Sequence, residues 1–138
     1  MIVDASVAIK WFAVEEGSDR ALELANSEAS LAAPAIILVE VANTLLKKHR
    51  TGLFSVEDAA FARMSLPRYF GELIEDAQLV DDAWSMAAEL GHPIYDCLYL
   101  ACARRAGTVL VTSHRRLILR LAGTSYAPLA IALADWRG

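Results

Sequence analysis

Four short apolar runs, Ile2–Val3, Leu31–Ala33, Thr108–Thr112 and Leu129–Leu133, are separated by longer stretches with helical periodicity. Runs too short for a helix, and spaced by helices, fit a parallel sheet covered on both faces. The pattern predicts an α/β chain built on such a sheet. In such sheets ligands gather outside the carboxyl ends of the strands. Asp4, directly after the first run, and Thr112, closing the third, therefore mark where chemistry is to be sought.

The intervening helices run from about Glu16 to Asn26 and from Ala35 to Arg50, the second with Pro34 placed in its first turn. Ser55 opens a third, which Pro67 closes. Leu79–Leu90 stops at Gly91, Pro93 starts a helix ending at Gly107, and Ser113 can cap another through Leu121. Residues Gly71 to Gln78 give no clear pattern. A chain of 138 residues is expected to form one domain over residues 1–138, and 56% apolar against 22% charged residues excludes disorder. The net charge of −4 excludes a broad electrostatic grip on nucleic acid, so any contact with a polyanion is local or metal-mediated. No apolar stretch reaches the roughly 18 residues of a spanning helix, and the start lacks a basic-then-apolar leader. A cytoplasmic protein with no membrane partner is expected. Cys97 and Cys102, five apart on one helix, point in different directions and read as reduced, small hydrophobes.

Asp4 can bind a metal, accept a phosphoryl group or, with Ser6 nearby, cap the next helix. Glu40 is the first charge after eleven uncharged residues. On a helical wheel it lies away from the stripe of Ile37, Val41, Leu45, Leu38 and Ala42, beside Asn43, Thr44 and Lys47. It can be a solvated glutamate, or a buried carboxylate steadied by Asn43. Asp96 precedes seven apolar residues, Cys97 to Ala103. It can favour a helix dipole or serve as a rigidly held metal ligand, because an unpaired buried charge costs several kcal/mol. His114, just past the third apolar run, can be a surface residue or a ligand. Arg104, Arg105, Arg115, Arg116 and Arg120 make a basic rim that could hold phosphates of an extended strand, and Lys47, Lys48, His49 and Arg50 form a second cluster. Both can equally be solvated helix faces. Trp11, Phe12, Phe61, Phe70, Trp84 and Trp136 read as core or interface. There is no P-loop, GxGxxG, HExxH or Gly-x-Ser-x-Gly.

Four segments together carry a family resemblance: M-I-V-D-A-S-V-A-I-K-W-F at the start, P-A-I-I-L-V-E-V-A-N-T-L at Pro34–Leu45, Y-D-C-L-Y-L-A-C-A at Tyr95–Ala103 and V-L-V-T-S-H-R-R-L at Val109–Leu117, with L-A-D-W following. In this order, over nearly the whole chain, they resemble the PIN-domain endoribonucleases, specifically the VapC-type toxins of bacterial toxin–antitoxin pairs. The resemblance implies a three-layer α/β/α fold with a central parallel sheet of four or five strands, and an acidic pocket at the strand ends that binds magnesium or manganese and cleaves RNA. It implies Asp4, Glu40 and Asp96 as the metal-binding and catalytic acids, with Ser6, Asn43 and Thr112 in support. Asp4 and Asp96 would bind the ion directly, and Glu40 would bind it through water or position the attacking water. It further implies a VapB-like antitoxin partner and a homodimer or toxin–antitoxin hetero-oligomer. One position departs from the family pattern: His114 stands where an aspartate is usual, removing a negative charge. His114 then either binds the ion or stands by, and the alternative function is a catalytically weakened PIN-like module that binds antitoxin or RNA.

Overall fold

Ile2–Val3 forms β1, with both side chains fully buried, in the computed structural model, which describes residues 1–138. Ala32–Pro34 (β2), Glu72–Ile74 (β3), Leu110–Thr112 (β4) and Ala130–Ala132 (β5) complete the sheet. The strand order is β3-β2-β1-β4-β5 and every neighbouring pair is parallel. Parallel neighbours need crossovers, and seven α-helices supply them. These are α1 (Ala5–Ala8), α2 (Ser18–Ala25), α3 (Ile37–Arg50), α4 (Val56–Ser65), α5 (Val80–Leu90), α6 (Ile94–Arg105) and α7 (Arg115–Leu121). The result is a three-layer α/β/α architecture around one contiguous cluster of 35 buried hydrophobic residues.

The order reverses between β1 and β4: the chain steps from β1 to β2 and β3 on one side, then returns to add β4 and β5 on the other. Chain exits diverge at such a point and leave a crevice. Ile2 pairs with Leu110 and Val3 with Val111, which brings Asp4 out level with Thr112. The run after Asp96 behaves as its composition requires. All seven residues from Cys97 to Ala103 are buried, because α6 is wedged between α5 and the strands β1, β2 and β4. Cys97 and Cys102 are unpaired, and burial pushes their thiols up to about 11 and about 12, with the Asp96 charge adding to the effect at Cys97.

Several boundaries differ from the sequence expectation. Pro34 ends β2 rather than opening a helix, paired with Ile74 of β3. β1 pairs with β2 only at Ile2–Ala32, so Pro34 lies beyond that ladder and its missing N–H leaves no bond unmade. The unpatterned segment holds the edge strand β3 and a 3-10 turn at Asp76–Gln78. Ser55 does cap α4, accepting from the Asp58 N–H, whereas Ser113 does not cap α7: its N–H donates to Ser6 Oγ, and His114 occupies the cap position. Trp11 and Trp136 are core residues, but Phe61 and Trp84 lie on the surface.

Candidate active site

Asp4 follows a strand and starts a helix, and both facts fix its carboxylate. As N-cap of α1 its Oδ1 accepts the Val7 N–H at 3.2 Å and the Ser6 hydroxyl at 2.5 Å. Its Oδ2 accepts the Thr112 hydroxyl across the β1–β4 switch. Those two hydroxyls also accept backbone N–H groups from the chain leaving β4, Ser113 onto Ser6 and His114 onto Thr112, each at 2.9 Å. Capping and pocket placement are therefore one arrangement. Asp4 is 5% exposed. Burial raises its carboxyl above the usual range despite three donors, and the Asp96 charge raises it further.

Glu40 lies on the side of α3 that a helical wheel turns away from the core, yet it is half-buried, with Tyr99 of α6 set against it. The hydroxyl of Tyr99, itself 1% exposed, donates to Glu40 Oε1 at 2.8 Å. Burial raises the Glu40 carboxyl, and the charges of Asp4, Asp96 and Asp76 raise it further against the Tyr99 bond. Burial beside these acids likewise pushes the Tyr99 phenol far above its usual range, which keeps it a donor. Asp76 has a structural task, since its Oδ1 accepts the Ile36 N–H at the start of α3.

Asp96, in the first turn of α6, places Oδ2 against two imidazoles: His92 Nε2 at 2.5 Å and His114 Nδ1 at 3.1 Å. No lysine or arginine pairs with Asp4, Glu40 or Asp96. The charge of Asp96 thus raises both Asp4 and Glu40, and the two imidazoles at Asp96 are the only basic side chains paired with any of the three acids. No three His, Cys, Asp or Glu side chains stand as a ready-made metal cage. Asp4 turns its oxygens to hydroxyls and Asp96 turns Oδ2 to imidazoles, leaving Asp96 Oδ1 and Glu40 Oε2 without protein donors. Magnesium keeps several waters and takes one or two carboxylates plus substrate phosphate, so hard oxygens of this number fit it without a closed cage.

Other expected site residues fall differently. Asn43 is exposed, and the hydrogen bonds of the three acids come from other residues. Arg104 and Arg105 close α6 at the end opposite Asp96, about 12 Å along the axis at 1.5 Å per residue. There Arg104 pairs with Asp82 and Arg105 binds Gln78, so they do not rim the acids. Arg115 and Arg116 are exposed in the first turn of α7, where a helix dipole disfavours cations. Arg115 borders a cavity of about 500 Å³ with Lys10, Arg20, Thr112, Ser113 and Leu133, and it also meets Glu16 at 3.6 Å. Lys47, Lys48, His49 and Arg50 occupy the last turn of α3, where the dipole favours them. His92, Tyr99 and Asp76 are additions that the sequence reading missed. The one available signal was the four-residue step from His92 to Asp96.

A family model described as PIN domain matches residues 1–123. The chain is 31% identical over 119 residues to Ribonuclease VapC3 of Pyrobaculum aerophilum, covering 85% of this chain and 91% of that protein. Among solved structures, the crystal structure of PAE2754 from Pyrobaculum aerophilum superposes with a TM-score of 0.70 at 26% identity, covering 96% of this chain and 83% of that one. A toxin–antitoxin complex from Klebsiella pneumoniae gives 0.63 at 16% identity, covering 96% of both chains, a likeness of fold alone.

Proposed function

The chain belongs to the PIN-domain family, in its VapC branch, and from that membership we propose that residues 1–138 form one metal-dependent endoribonuclease domain, the toxin of a toxin–antitoxin pair. One observation supports the reading: Asp4 and Glu40 are buried carboxyls raised by burial and by the charge of Asp96, and no lysine or arginine pairs with any of the three acids. Such a cluster either binds a cation or holds protons.

Asp4 and Asp96 would hold a divalent ion, magnesium or manganese, with Glu40 reaching it through water. When bound, such an ion stabilises charge on a phosphoryl oxygen and lowers the pKa of a bound water. The residues of the chain do the rest. Ser6, Thr112 and the Val7 N–H keep Asp4 fixed and ionisable inside the core. Tyr99 holds Oε1 of Glu40, leaving Oε2 to accept a proton from the attacking water. Part of an RNA strand would enter the cavity beside Thr112, where Lys10, Arg20 and Arg115 face it together with Glu16. Exposed Val39, Leu46, Phe61 and Met64 along α3 and α4 support a VapB-like antitoxin or a second copy of the chain as partner. No helix is long and apolar enough to cross a membrane, and the proposed place of action is the cytoplasm.

The test is cleavage of cellular RNA with Mg2+ present. Cleavage is expected, is expected to stop on adding EDTA and to return with excess Mg2+ or Mn2+. Cleavage that persists in EDTA would refute the metal. A folded protein that binds RNA or antitoxin but cleaves no RNA would support the weakened module instead. His114 provides a second test. His114→Asp restores a fourth carboxylate and removes one imidazole from Asp96. Mg2+ affinity is expected to rise roughly tenfold, a fraction of the about 4 kcal/mol between unit charges 4 Å apart in a partly screened site. Cleavage is expected to hold or increase. Loss of cleavage in the folded variant would mean that the imidazole itself takes part.

A further inference from the structure

We infer that His92 is a positioning residue for Asp96, fixing which carboxylate oxygen is left for a divalent ion; the inference rests on the metal reading above. His92 sits in the corner between α5 and α6, and the backbone there has little freedom. Gly91 ends α5 with φ +56°, the His92 N–H reaches back to the Ala87 carbonyl at 3.2 Å, and Pro93 holds φ at −55° as the cap of α6. The imidazole is 11% exposed and is carried straight onto Asp96, four residues on. Its Nε2–H donates to Oδ2 at 2.5 Å.

His114 approaches the same oxygen from the cap position of α7, its ring 6.3 Å from that of His92 and inclined at 53°. Two imidazoles from different elements therefore converge on Oδ2, while Oδ1 carries no protein donor. A carboxylate held in this way offers an ion one oxygen in a fixed direction. Without the clamp it can rotate, chelate or turn away. His114 is 38% exposed and 3.1 Å from the oxygen, whereas His92 is closer and less exposed, so His92 carries most of the constraint. Outer partners of ligating carboxylates are typically worth about 10- to 100-fold in metal affinity.

The experiment titrates Mn2+ into the metal-free full-length protein at fixed pH, read by calorimetry and by the Mn2+ EPR signal. His92→Ala and His92→Leu, which donate nothing, are expected to weaken Mn2+ binding about 10- to 100-fold. His92→Gln, which keeps an N–H donor of similar reach, is expected to recover most of the loss. Either donor-free variant suffices if the other does not fold. Unchanged Mn2+ affinity in a folded donor-free variant overturns the inference. So does a His92→Gln protein as weak as His92→Ala, which would assign His92 to packing. A wild-type protein that binds no Mn2+ would instead bring down the metal reading, and this inference with it.

Discussion

Asp4→Asn is expected to abolish RNA cleavage while making the metal-free protein more stable at neutral pH. Replacing a carboxylate that binds the ion directly removes about 4 kcal/mol of transition-state stabilisation, roughly a thousandfold in rate. Stability should move the other way for two reasons. Asparagine caps helices as well as aspartate, so the bond from the Val7 N–H survives. The substitution also removes a charge that burial disfavours and that Asp96 repels. The gain is expected to be about 1 kcal/mol, or roughly 3–5 °C in Tm for a domain of this size. Asp4→Ala is the control: it loses the cap at a cost of about 1 kcal/mol and orphans two hydroxyls. Thermal unfolding in EDTA, together with an RNA cleavage assay, checks all three proteins. Wild-type cleavage by Asp4→Asn, or destabilisation of that variant to the level of Asp4→Ala, would contradict the expectation.

The second large effect links pH, metal and stability. Asp4 and Glu40 are both held above their ordinary values of 3.8 and 4.5, chiefly by burial. A group raised on folding binds its proton more tightly in the native state. Its contribution to stability is complete below the unfolded pKa and is lost as pH rises through the folded one. The metal-free protein should therefore weaken as pH rises from about 4 through the raised values of these two acids. Glu15, held low by Lys10 and Lys48 although burial opposes them, works in the opposite sense. Comparison with Asp4→Asn separates the two effects. The stability advantage of the variant should open as pH climbs above the ordinary aspartate range. Saturating Mg2+ should then reverse it, since an ion at about 100 times its Kd adds about 2.7 kcal/mol to whichever protein binds it. Urea unfolding at several pH values, with and without Mg2+, measures this. Parallel curves for the two proteins, unmoved by Mg2+, would contradict it.

What the sequence revealed of this site depended on whether a residue's neighbours were local. Asp4 and Thr112 were legible because each ends an apolar run and parallel strands deliver their carboxyl ends to one edge. Glu40 was not, because the wheel of α3 is blind to a helix arriving from elsewhere, and Tyr99 of α6 turns its polar side into an interior. Asp76 was hidden by its surroundings, since β3 is a three-residue edge strand with little apolar signal. Asn43 lies one turn from Glu40 as expected but faces solvent. Arg104 and Arg105 share a helix with Asp96, and only the helix length puts them at its far end. His92 precedes its helix, behind a proline, so its phase relative to Asp96 depends on a turn that periodicity does not describe.

The most direct measurement is anomalous diffraction from crystals soaked in Mn2+. A peak is expected between Asp4, Glu40 and Asp96, reached by Asp96 Oδ1 and reduced or absent in Asp4→Asn. No peak in that pocket at Mn2+ concentrations that support cleavage, or a peak elsewhere on the chain, would contradict a cation-binding site made from these three acids.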